Sequence, residues 1–154
     1  MPSPPPRAPS PKSAPTDPRK QQAVEALNKR YKELNKLWED AEASLKEIPV
    51  PCDVILTYKS VEAYPDRHNG AGIHSQLGFV RAKGGWRICQ DTSHDDFPEL
   101  DYDWKPITEC RIDIRLEAVP HIGKLRELVL KAAEDCVPTL DKAIAELRSS
   151  LEKW

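Results

Sequence analysis

Over the first long stretch, apolar side chains recur at Val24, Leu27, Tyr31, Leu34, Trp38, Ala41, Leu45 and Ile48. Steps that alternate between three and four residues hold one stripe in line along a helix, which is the heptad seam of a coiled coil. Thr16 or Asp17 supplies a starting cap, Pro18 suits a first helical turn, and Pro49 and Pro51 forbid continuation, so a helix is predicted over 19–48. At 1.5 Å per residue it would be about 45 Å long. A seam of that length calls for a partner helix, because helices in proteins gain most of their stability from packing an apolar face. Glu25 with Lys29 and Glu42 with Lys46 form favourably ordered pairs, expected on the outer face.

The period then shortens, and residues 52–116 read as β-rich. Val54-Ile55-Leu56 predicts a strand buried on both faces or covered by the helices. Tyr64 to Gly72 is a loop by composition, with Asn69-Gly70 as its turn signal. Gln76 to Asp91 is the clearest β signal, a hairpin in which the loop Ala82-Lys83-Gly84-Gly85 sets Arg81 opposite Trp86, Phe79 opposite Ile88 and Leu77 opposite Gln90. One face then carries Leu77, Phe79, Trp86 and Ile88 as core, with Arg81 over the Trp86 ring. The other, with Gln76, Gly78, Val80, Arg87, Cys89 and Asp91, is expected to be half wet.

Residues 108–118 satisfy two periods. Cys110, Ile112, Ile114 and Leu116 alternate with charged residues as in a strand, whereas Ile112, Leu116 and Val119 fit a helix; the alternation slightly favours the strand. A second long helix is predicted over 120–154, with a seam of Ile122, Leu125, Val129, Ala132, Cys136, Leu140, Ala143, Leu147, Leu151 and Trp154. Pro138 interrupts it, giving a kink or two abutting helices. Together these elements predict an α+β fold, in which two long antiparallel, coiled-coil-like helices enclose a small antiparallel β-sheet in the order α-β-β-β, then β or α, then α. Ala132, Ala133, Ala143 and Ala145 offer room for the bulky Tyr31 and Trp38; failing that, the first helix would pair with its copy in a homodimer.

Composition trims this picture at one end. Eight of the first eighteen residues are proline, so 1–18 is expected to be a disordered tail and 19–154 a single domain. A net charge of −2 gives no global attraction to nucleic acid or to an anionic membrane. Cys52, Cys89, Cys110 and Cys136 are widely spaced, as in thiols of a reducing compartment, and no apolar run resembles a signal peptide or a membrane span. A cytoplasmic protein is the expectation.

Candidate chemistry is sparse. The stretch 91–103 holds six carboxylates, and His94, Asp95 and Asp96 are weak candidates for a divalent cation, without the glycine and distal glutamate of an EF-hand. The four cysteines and His68, His74, His94 and His121 lack the close pairs of zinc motifs. Nucleophile elbows, Walker loops and dinucleotide fingerprints are missing, so no catalytic residue, metal or cofactor is assigned. Lys59, Arg67, Arg81, Lys83 and Arg87 with Trp86 or Tyr58 form a possible nucleic-acid face, disfavoured by the adjoining acidic stretch. The expected function is a non-enzymatic protein–protein interaction or scaffolding protein, binding a protein partner or itself, with Tyr31, Leu34, Trp38, Arg81 and Trp86 as contact residues. The alternatives are a small enzyme or metal-dependent binding protein using 91–103, and a nucleic-acid-binding dimer.

Overall fold

A computed structural model describes residues 1–9, 15, 17–63, 70–82, 84–96 and 103–154. The expectations for Tyr64–Asn69, for Lys83, for 97–102 of the acidic stretch and for 10–14 and 16 of the proline-rich stretch lie outside these residues. The chain divides into two units, Met1–Leu34 and Asn35–Trp154.

In the first unit the described residues before Pro18 are exposed and adopt no helix or strand. Helix α1 spans Pro18–Lys46. Its cap is Asp17, whose Oδ1 accepts the Arg19 N–H at 3.0 Å while its carbonyl accepts the Gln21 N–H, also at 3.0 Å. Val24 and Leu27 are exposed, whereas Tyr31 and Leu34 are half-buried.

In the second unit α1 buries Trp38 and Leu45, then tightens into its last turn as Ile48 N–H reaches the Leu45 carbonyl at 3.0 Å. Four antiparallel strands follow in the order β1 (Val54–Glu62), β2 (Gly72–Ala82), β3 (Gly85–His94) and β4 (Lys105–Pro106), each beside the next. The β2–β3 register pairs Arg81 with Trp86, Phe79 with Ile88 and Leu77 with Gln90, as the sequence predicts, and continues to Ala82 opposite Gly85. Gly84 and Gly85 take φ values of 87° and 131°, which side chains disfavour and glycine tolerates.

Two expectations for the sheet are corrected. Val80 and Cys89 are fully buried and Asp91 nearly so, so the second face of the hairpin is covered at its centre rather than half wet. Trp104 accounts for part of the cover: its ring lies over Gly78, where a Cβ would come within 3.0 Å of Cζ3. Strand β1, by contrast, is a sheet edge that α3 packs against rather than a strand buried on both faces: Val54 is buried and Leu56 and Tyr58 are half-buried, whereas Ile55 and Val61 are exposed. A bulge at Tyr58, between Thr57 and Lys59, turns that ring to stack on His121 with centroids 4.8 Å apart.

The ambiguous stretch is helical. A 3-10 turn at Ile107–Glu109 leads into α2 (Ile112–Ala118), a second 3-10 turn at Val119–His121 and α3 (Ile122–Glu152). Burial of Ile107, Cys110, Ala118, Leu125 and Val129 marks the inward side, and Leu116 is exposed, so alternation through Leu116 does not describe the buried face. The helical period wins because this stretch packs beside the sheet rather than within it, with Lys59 of β1 bonded to Glu117 of α2 at 2.7 Å. Helix α3 packs on β1 and β2 and runs through Pro138 as one element rather than two. The molecule is therefore α+β, with two long helices and a four-stranded antiparallel sheet.

Candidate interaction surface

The five contact residues expected from sequence are placed in different surroundings. Trp38 is only 4% exposed, and its indole N–H finds no acceptor among the described residues. Trp86 is half-buried and stacks on Phe79, with centroids 5.5 Å apart and planes inclined by 28°. Arg81 is exposed; its backbone N–H donates to Asp53 Oδ1 at 3.0 Å. Tyr31 and Leu34 belong to the first unit and are half-buried there. Arg81 and Trp86 are brought together as cross-strand partners.

Around the hairpin, polar groups act as fasteners. Glu42, expected on the outer face of α1, turns instead to the open side of β3. Its Oε2 accepts the Ile88 N–H at 3.0 Å, and its Oε1 lies 3.3 Å from Arg87 Nε and 3.2 Å from Lys46 Nζ. Nearby, burial pushes the Cys89 thiol up to about 12, and burial likewise raises that of Cys110. All four cysteines are free, and these two are buried, inert thiols.

At the other end of the hairpin, Ser60 Oγ lies 2.8 Å from His74 Nδ1, and His74 Nε2 lies 3.0 Å from Asp95 Oδ1. Asp95 Oδ2 also accepts the Gly72 N–H at 2.8 Å, and this bond, with help from His74, holds the carboxyl below its ordinary range. The serine, histidine and carboxylate stand in the order of a hydrolase relay, but Ser60 and Asp95 are both exposed. Such a relay gains its strength from excluded water. Here the row ties Gly72, where β2 begins, to the residue that follows β3. Of the weak metal candidates, Asp95 is thus engaged, Asp96 is exposed and His94 is half-buried. Among the described residues no three histidine, cysteine or carboxylate side chains converge as metal ligands.

The largest apolar feature that sequence reasoning placed only in part is on α3. Its near half is covered through Cys136, and every residue from Val137 to Trp154 is exposed. On that far half Val137, Leu140, Ile144, Leu147 and Leu151 are 50% to 60% exposed and keep steps of three and four, and Trp154, just past the helix end at Glu152, is 92% exposed. Ile144, Leu147 and Leu151, with Arg148 and Glu152, line a shallow groove of about 450 Å³. The stripe departs from the sequence reading by one residue at two places, Val137 for Cys136 and Ile144 for Ala143. The larger side chain of each adjacent pair was the available signal.

No protein-family model, curated protein or solved structure matches the chain. Among the described residues no helix is long and apolar enough to cross a membrane.

Proposed function

We propose that the chain is a non-enzymatic protein–protein interaction or scaffolding protein that associates through coiled-coil pairing of a helical surface. One observation carries this: the far half of α3 presents five large apolar side chains in heptad steps, all exposed, with an exposed Trp154 just past its end. A helix of about sixteen residues is marginal in water by itself, and a stripe this regular on an otherwise polar helix is complementary to another helix. Helical partners read such stripes through side chains at i, i+3, i+4 and i+7. The contact therefore centres on Leu140, Ile144 and Leu147 rather than on Trp38, which the body of the protein already covers.

The test is cross-linking of the full-length chain in its own cells, comparing wild type with Leu140→Asp/Leu147→Asp. A protein adduct present in wild type and lost in the variant is expected. Adducts that persist in the variant, or a wild type without adducts, would overturn the proposal.

A further inference from the structure

We infer that the partner of the far half of α3 is the same segment of a second copy of this chain, antiparallel and in a single register. This rests on the interaction reading above and names its partner. Val137, Ile144 and Leu151 recur at one seam position, and Leu140, Leu147 and Trp154 at the other. In an antiparallel pair, residues of the first set face residues of the second. A two-fold axis between Ala145 and Glu146 sets Leu140 of one copy against Leu151 of the other and Ile144 against Leu147, and brings Val137 to the end where the other helix gives way to Trp154. Each of these four central seam residues gains a partner.

The flanking positions choose the direction. In this register Asp141 of one copy lies beside Arg148 of the other, and symmetry repeats the ion pair. Neither residue takes part in an ion pair among the described residues. On the opposite flank Ala143 meets Ser150, small side chains that let the two backbones approach. A parallel pair would instead place Cys136 beside Asp141 and Ala143 beside Arg148, leaving both charges unmatched. The helical segment is about 24 Å long. A pairing this short is expected to be weak, with a dissociation constant of about 1–100 µM.

Sedimentation equilibrium of the full-length protein from about 1 to about 500 µM tests this. A monomer–dimer equilibrium is expected for wild type, and a monomer throughout for Leu140→Asp/Leu147→Asp, with an unchanged circular dichroism melt at low concentration because both residues are exposed. Asp141→Arg alone should weaken the dimer about threefold to tenfold, and Asp141→Arg/Arg148→Asp should restore it to within about twofold. For orientation, chains carrying Ile144→Cys and Leu147→Cys, each with Cys52 and Cys136 replaced by serine, should cross-link to each other on oxidation. Self-linked Leu147→Cys chains would indicate a parallel pair and overturn the register. A dimer indifferent to the aspartates, or one that the charge exchange does not restore, would overturn it as well. A wild type that stays monomeric, yet loses a cellular adduct in the aspartate variant, would overturn the second copy and leave the interaction reading standing. A monomer whose adducts ignore the variant would overturn both.

Discussion

The carboxylate of Glu42 accepts the backbone N–H of Ile88 at 3.0 Å, filling the place of a neighbouring strand just where β4 has ended. The side chain is 12% exposed, so little water is at hand to replace it. Glu42→Ala should leave that N–H unsatisfied and cost about 1–3 kcal/mol of stability. Glu42→Gln keeps an acceptor and loses only the charge facing Arg87 and Lys46, so it should cost less than Glu42→Ala. Urea denaturation of the three proteins checks the order.

Gly78 is held to hydrogen by its neighbours. A Cβ would meet Val80 Cγ1 at 2.9 Å and the Trp104 ring at 3.0 Å and 3.1 Å. Gly78→Ala should therefore cost about 1–3 kcal/mol through overpacking. The penalty should shrink in a Trp104→Leu background, a coupling that a double-mutant cycle on thermal melts would measure.

Asp95 links acidity to stability. Its carboxyl ionises more readily folded than unfolded, because the Gly72 N–H and His74 favour the charged form. Its contribution is thus complete above the ordinary value of 3.8 and fades as pH falls through the depressed folded value. Asp95→Asn should melt below wild type at pH 7, and the gap should close in strongly acidic buffer.

The thiols should react in order of exposure. Cys52 is exposed and Cys136 half-buried, whereas Cys89 and Cys110 are buried, with the Cys89 thiol pushed up to about 12. Alkylation at neutral pH should modify Cys52 first and reach Cys89 and Cys110 only on unfolding. Mass spectrometry of a time course reads this directly; early labelling of Cys89 would contradict the core described here.

Helix α3 should respond unevenly to truncation. Leu125 is fully buried, so Leu125→Ala should cost about 2–5 kcal/mol. Leu140 is 54% exposed, and Leu140→Ala at low protein concentration should stay within about 0.5 kcal/mol of wild type.

What the sequence made legible follows from the range of each interaction. The hairpin register was readable because strand alternation and two glycines at positive φ lie within one short segment. The cap at Asp17 and the stop before Pro49 are equally local. The covered second face of the hairpin was not readable, since Trp104 reaches Gly78 from a distant part of the chain. Nor was the inward turn of Glu42: its ideal spacing to Lys46 pointed to a solvated pair, and nothing local marks Ile88 as an unpaired strand edge. Residues 108–118 failed for a different reason, because alternating charges at 111, 113, 115 and 117 imitate a strand on a short helix whose buried side includes Ala118 and continues Ile107 of the preceding 3-10 turn. The helical period of α3 was legible in sequence, but which residues of its apolar side are already covered depends on where the sheet sits.

Pro138 lies at the point where α3 stops being covered. Its missing N–H removes one rung from the helix, between Cys136, the last half-buried residue, and a segment with every residue exposed. One continuous helix is thereby made of two pieces with different local opening free energies. Backbone amides before the proline should exchange with solvent only when the whole unit opens, while those after it report fraying in a single copy and protection wherever a partner lies alongside.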